Sequence, residues 1–315
     1  MKILITGPSG YIGTELCRRF DKESGIEEVM GLDLIYPKES FTKLKFYKQD
    51  CNGDLHNIFT RHKIDTLIHL VYILNMTHDS EAMYRINVGS MENILNYAER
   101  YNVRRILVTS SATAYGAHPD NPDLLTEAHP LRGNEDYQYA LDKMIVEKRL
   151  HEFGENHPEV DIIIARTAIV CGAHIGNLIS RYINKAFVLL VKDCDTEMQF
   201  LHEEDAAEAL YHLATKAPDG VYNLGPPNTI HAVKIAQILG GKPIFFGSWL
   251  LNMMTGLAWK FHITSLTEAP AAMIDFLQYP WVVDGSKVEQ KTDFRYQYSS
   301  KDAIRAFAGA QAKKD

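Results

Sequence analysis

Short apolar runs alternate with longer amphipathic stretches along the first two thirds of the chain. The runs KILIT (2–6), 29–34, TLIHLV (66–71), RILVT (105–109) and DIIIAR (161–166) mostly lack the polar alternation of a half-solvated strand. They therefore predict strands buried on both faces. Between them, 14–20, 82–101 and 139–153 repeat apolar positions at helical spacing. Buried strands alternating with helices predict an α/β fold built on a doubly wound parallel sheet. After Thr167 the pattern turns richer in loops and aromatic residues, with a helix predicted at 204–215 and a strand at 221–224. No linker marks a boundary. The predicted organisation is a larger domain at 1–170, completed by a strand and helix from about 199–225, and a smaller C-terminal lobe from 171–198 and 226–315. The tail from Ala306 (AFAGAQAKKD) is small and polar and is expected to fray.

The run 244–259 (IFFGSWLLNMMTGLAW) carries no charge. It falls short of a membrane-spanning length. Trp249, Met253, Leu257 and Phe261 recur at every fourth position, which predicts the buried face of an internal or cavity-covering helix. No membrane contact is expected.

Composition narrows the class further. The chain has 315 residues, 46% hydrophobic and 23% charged, with a formal net charge of −7. Disorder and a disulfide-stapled miniprotein are excluded, and the acidic balance argues against nucleic acid as partner. The four cysteines stand at irregular spacings, and His202 in LHEED has no histidine four residues on, so neither a disulfide framework nor a metal site is expected. The opening MKILITGPSG has too short an apolar run for a secretory signal, which places the expected protein in the cytoplasm.

Between the first strand and first helix stands T6-G7-P8-S9-G10-Y11-I12-G13, with glycines three apart. Such a turn lets backbone approach a pyrophosphate at a helix N-terminus. Asp33 ends the second strand 20 residues after Gly13, where a carboxylate can accept hydrogen bonds from an adenosine ribose. A 2′-phosphate would meet like charge there, so NAD is favoured over NADP. This context makes the sheet a Rossmann fold.

Of the 16 tyrosines only Tyr139 has a lysine four residues on, Lys143. On a helix the two side chains share a face. A nearby ammonium lowers a phenol's pKa, so Lys143 is expected to make Tyr139 a usable base. Ser111 follows the RILVT strand, where strand ends feed the crevice of a doubly wound sheet.

TGPSGYIG, Asp33, SSATAYG and Y139-A-L-D-K143, in that order, resemble the extended short-chain dehydrogenase/reductase family, and specifically its NAD-dependent epimerase/dehydratase branch. IHLV, N87-V-G-S-M-E-N-I-L, IIIARTAIVCG, QFLHEEDAAEAL and GVYNLG match further blocks. The resemblance implies that Gly7, Gly10, Tyr11, Ile12 and Gly13 hold the pyrophosphate, that Asp33 takes the adenosine ribose and that Asp50 and Cys51 flank adenine. It implies Leu70, Val71 and Asn87 at the nicotinamide half, Ser111 and Tyr139 on the substrate oxygen, and Lys143 on the nicotinamide ribose. The smaller lobe would bind substrate, with Asn177 and Leu178 matching a substrate-loop pair. It implies a homodimer through helices 82–101 and 139–153, and a small-molecule substrate that is a nucleotide sugar or another alcohol or ketone.

The chain departs from the sugar-nucleotide epimerases where substrate is held. Ile169 stands in place of an asparagine and Met198 in place of a diphosphate-gripping arginine. Arg166, Arg181, Lys185 and Lys192 are the candidate replacements. Ala112-Thr113 after Ser111 lacks the acidic pair of a dehydratase, and bulky Val71-Tyr72 is expected to narrow the pocket.

Overall fold

The computed structural model describes residues 1–74, 76–264 and 266–313. Its first half runs β1 (Lys2–Thr6), α1 (Tyr11–Asp21), β2 (Glu28–Asp33), β3 (Leu44–Lys48), α2 (His56–Arg61), β4 (Thr66–His69), α3 (Ser80–Tyr84), α4 (Ser90–Arg100), β5 (Arg105–Ser111), α5 (Gln138–Asn156) and β6 (Asp161–Thr167). The second half runs β7 (Ile169–Cys171), α6 (Leu178–Ile183), β8 (Phe187–Val191), β9 (Glu197–Met198), β10 (Phe200–His202), α7 (Glu203–Thr215), β11 (Gly220–Leu224), β12 (Ile230–His231), α8 (Ala232–Ile238), β13 (Lys242–Phe246), α9 (Ser248–Lys260), α10 (Ser286–Lys291) and α11 (Ser300–Gln311).

Seven strands form one parallel sheet in the order β11-β6-β5-β4-β1-β2-β3. From β1 the chain winds one way through β2 and β3, then crosses back to β4 and winds the other way. The order therefore reverses between β1 and β4, and a crevice opens at their carboxyl ends. Alternate residues serve opposite faces. Ile3, Ile5, Ile68, Leu107 and Ile163 meet Leu16 and Phe20 of α1 and Leu210 and Leu213 of α7, whereas Leu4, Leu67, Ile106 and Ile164 meet α4 and α5. This is the doubly wound parallel sheet that the apolar runs predict.

Several segments differ from the sequence reading. LKFYK forms β3, unpredicted because it is an edge strand whose lysines leave no continuous apolar run. The expected helix 82–101 is interrupted by a turn of π-helix at Arg85–Gly89, which separates α3 from α4. The tail does not fray at Ala306, because α11 carries an N-terminal capping box from Ser299 and Asp302 and buries Ile304 and Phe307 against Phe200 and Ile235. Its last two residues, 314 and 315, lie outside the described residues.

The smaller lobe is assembled from two short strand pairs, β8 with β13 and β9 with β12, together with the helices around them. The uncharged run behaves differently from expectation. Leu251 of α9 is buried against Val191 and Ile274, yet the face predicted to be internal is open to solvent, with Trp249, Met253, Leu257 and Phe261 at 71%, 47%, 51% and 66% exposure.

One buried polar network joins β5, β6, β11 and α5. Arg166 of β6 donates from Nη2 to Glu147 Oε2 of α5 at 2.6 Å and from Nη1 to the Tyr115 hydroxyl at 2.7 Å. Tyr115 donates to Asn223 of β11 at 2.8 Å, and Ser110 of β5 donates to Glu147. Both charged side chains are almost wholly removed from water, at 5% and 1% exposure. Desolvating two charges is costly, and it is offset only while each faces the other. Glu147→Gln is therefore expected to lower stability by about 3–5 kcal/mol, whereas the paired Glu147→Leu/Arg166→Met variant regains most of that loss, as read by urea unfolding. Equal loss in both variants would show that the pair is not what the packing depends on.

Candidate active site

The crevice holds a cavity of ≈ 780 Å³ with two chemically distinct ends. One end is backbone and hydroxyl. Gly7, Gly10, Tyr11, Ile12 and Gly13 line it together with Leu70, Ser111, Tyr139 and Lys143. The turn requires glycine at two points. Gly7 has φ +79°, and a Cβ on Gly13 would stand 2.1 Å from the Gly7 carbonyl oxygen, so α1 starts in direct contact with the turn. Gly10 caps α1 without a side-chain hydrogen bond, and the first turn has no acidic residue. The positive end of the helix thus meets the cavity uncompensated.

Asp33 lies beside this turn, accepting from the Ser9 and Ile35 backbone N–H groups at 3.1 Å each. Gln49 N donates to the Asp33 carbonyl at 3.0 Å, which brings Asp50 and Cys51 to the same strand ends. Burial, with the Asp50 and Asp33 charges adding, pushes the Cys51 thiol up to about 11. These three residues flank the turn and are not on the cavity wall. Val71 packs its N–H behind Gly7. Asn87 is fully buried in the π turn, where Oδ1 accepts from Ile73 N and Nδ2 donates to Asp142 of α5, both at 2.8 Å. Its polar atoms face protein, so it holds the backbone at 73 and α5 in place and does not reach the cavity.

Ser111, Tyr139 and Lys143 converge. Thr113 donates to Ser111 Oγ from N at 3.2 Å and from Oγ1 at 2.9 Å. The Ser111 hydrogen is left to bond the Tyr139 phenol, which draws the phenol's pKa down. Burial wins over that bond and pushes Tyr139 up to about 12. Lys143 is likewise pushed down to about 7 by burial, against the Glu147 and Asp142 charges. Its Nζ donates to the Thr109 carbonyl at 2.7 Å and lies 3.3 Å from the centroid of the Tyr72 ring. The expected lowering of Tyr139 by Lys143 is therefore not what this arrangement gives, because the amine is engaged elsewhere and desolvation dominates both groups.

Tyr72 is on the cavity wall, edge-on to Tyr139 at 5.1 Å between centroids, whereas Val71 is not on it. Thr113 and Tyr137 also line the cavity and were given no role from sequence. The signal for Thr113 was its place two residues after Ser111.

The far end of the cavity belongs to the smaller lobe and is mostly apolar, including Ile179, Leu189, Leu251 and Ile274. Asn177 and Leu178 are on its wall, with Asn177 Oδ1 capping α6 at Ser180 N, 3.1 Å away. Met198, 7% exposed, also lines it. Of the four candidate cations for an anionic substrate, Arg166 is consumed by Glu147, Arg181 pairs with Glu268 at 2.6 Å and Lys192 is off the cavity wall. Lys185 remains on it.

Glu15, His174 and Glu203 place ligand atoms within 4.8 Å of one another. Glu203 is nevertheless occupied by the protein, accepting from the Tyr11 hydroxyl at 2.6 Å and His174 Nδ1 at 2.9 Å. The bond fixes Tyr11, in the glycine turn, to the chain beyond β7.

A family profile described as NAD dependent epimerase/dehydratase matches residues 3–225. The UDP-glucose 4-epimerase of Yersinia enterocolitica is 30% identical over 290 residues, covering 78% of this chain and 84% of its own. An uncharacterized protein of Mycobacterium tuberculosis is 24% identical over 313 residues, covering 96% and 82%. In fold, the chain is similar to UDP-glucuronic acid 4-epimerase from Bacillus cereus in complex with NAD (TM-score 0.76, 19% identity, 100% and 99% covered). It is similar also to UDP-glucose 4-epimerase of Thermotoga maritima with UDP-glucose (TM-score 0.78, 16% identity, 100% and 99%).

The sign of one pH effect follows from Lys143. Its pKa falls from 10.5 to about 7 on folding, so the unfolded chain binds the extra proton between those values and stability rises with pH across that window. Lys143→Met is expected to be more stable than the parent near neutrality and to flatten this rise, as measured by melting temperature against pH. A parallel pH profile in both proteins would contradict it.

Proposed function

The chain belongs to the NAD-dependent epimerase/dehydratase family, and from that premise we propose that it moves hydride reversibly at a secondary alcohol or ketone carbon through Ser111, Tyr139 and Lys143, with a nucleotide sugar epimerised at such a carbon as the leading substrate. The observation that carries the reading is the meeting of Ser111, Tyr139 and Lys143 with the glycine turn on one cavity wall.

The residues present fit the cofactor. The strand-to-helix turn with its uncapped helix end suits a diphosphate, and Asp33 beside it suits a ribose. Gly7, Gly10, Tyr11, Ile12 and Gly13 would hold the diphosphate and Asp33 the adenosine ribose, with Asp50 and Cys51 beyond it. Leu70 would line the nicotinamide half, with Val71 and Asn87 behind it. NAD, when bound, supplies the hydride acceptor and donor.

Ser111 donates a hydrogen bond to the substrate oxygen, and Tyr139 takes or returns the hydroxyl proton. With its phenol held near 12, Tyr139 rests protonated and is set to donate to a developing alkoxide. In the reverse direction a charged Lys143, turned from Thr109 toward the phenol, favours the phenolate. Positioning of the reacting carbon supplies much of the rate.

The apolar far end and Met198 favour a second reading, redox of an alcohol or ketone without a diphosphate, because Lys185 is the sole cation from the lobe on the described cavity wall. The resemblance further supports a homodimer paired through the helices of 82–101 and 139–153, and the short apolar run at the N-terminus supports a cytoplasmic location.

Tyr139→Phe is expected to lower turnover about 10²-fold while NAD binding is kept. For the substrate, NAD is expected to co-purify, and UDP-glucose is expected to raise the melting temperature of the NAD-loaded protein by mass action. A rise with a neutral apolar alcohol and none with UDP-sugars selects the second reading. Near-parent turnover in Tyr139→Phe would falsify the assignment of roles.

A further inference from the structure

We propose that the smaller lobe docks on the surface of an anionic phospholipid bilayer through α9 and the loop that follows it. The exposed face of α9 runs Trp249, Met253, Leu257 and Phe261, and Phe245 of β13 and Leu266 extend it on either side, all exposed. Contiguous apolar surface of this kind marks an interaction site. The helix spans only Ser248–Lys260, and no helix among the described residues is long and apolar enough to cross a membrane. The element can lie on a bilayer but not span it.

Charge identifies the occupant. The chain carries 40 acidic residues and a net charge of −7, yet residues 220–267 contain no Asp or Glu. The same segment carries Lys234, Lys242 and Lys260, all exposed, with Lys242 heading β13 and Lys260 closing α9. The next acid, Glu268, is paired with Arg181. The segment that carries the apolar helix face is thus free of acid in an acidic protein and holds three lysines, two of them at the start of β13 and the end of α9. Apolar and aromatic side chains that enter the headgroup region, with basic residues beside them, are the features of an interfacial helix. Lysines beside exposed aromatic and aliphatic side chains, in a segment without acid, complement an anionic lipid surface.

The geometry also connects the face to the active site. Leu251 and Thr255 of α9 and Leu266 line the cavity from the same helix and loop. Docking would therefore set the cavity mouth at the water–lipid boundary. The proposal does not depend on which substrate the cavity takes.

The test is flotation of the NAD-loaded full chain with phosphatidylcholine vesicles, with and without phosphatidylglycerol. Binding is expected to the anionic vesicles, to weaken at high salt, and to fall at least about tenfold in Trp249→Glu/Leu257→Glu. Both residues are exposed and off the cavity wall, so melting temperature and NAD affinity should match the parent. No flotation on anionic vesicles, flotation equal on neutral ones, or equal binding by the double variant overturns the proposal. So does a concentration-dependent dimer, seen by light scattering, that the double variant abolishes without any vesicle binding.

Discussion

The contact between Arg166 and Glu147 is the constraint on which the site's geometry depends. A guanidinium in β6 and a carboxylate in α5, both out of water, tolerate little displacement, because either one alone would be a buried unpaired charge. Glu147 stands four residues after Lys143 and eight after Tyr139 on the same helix. Fixing it against β6 therefore fixes the two reactive side chains along the helix axis. The same carboxylate takes the Ser110 hydroxyl, immediately before Ser111. One ion pair thus sets the relative positions of all three groups of the chemistry.

A second tie acts from the opposite side of α5. Asp142 receives Asn87 and Gln138, and through Asn87 it fixes the backbone at Ile73. The π turn that carries Asn87 breaks what would otherwise be one long helix, and π turns of this kind recur at functional sites. Its interior amide, in contact only with protein, supports the site without touching it.

The buried strands and the glycine turn could be read directly because they follow from local rules. Ile3, Leu4 and Ile5 announce a two-sided strand, and only glycine fits at Gly13. What could not be read were properties set by distant contacts. Nothing near Arg166 in sequence says that Glu147 consumes it, so a buried structural arginine looked available for an anionic substrate. The ordering between Tyr139 and Lys143 was visible in their spacing, but the direction of their pKa values depends on desolvation by Tyr72 and the sheet. The exposed face of α9 was misread for a related reason. Periodicity shows that a helix has an apolar face, and only the tertiary structure shows whether protein covers it.

The position of β11 has a consequence for synthesis on the ribosome. β6 ends at Thr167, but the strand that covers its outer edge begins at Gly220, after the chain has passed through β7, α6, β8, β9, β10 and α7. While those residues are being made, the outer edge of β6 stands open, with Ile163 and Ile164 paired to β5 on one side and to no strand on the other. Such an edge is a template for pairing with another chain. The nascent protein is thus most exposed to misassembly before Gly220 emerges, and the same insertion that weaves the lobe into the sheet delays closure of the sheet.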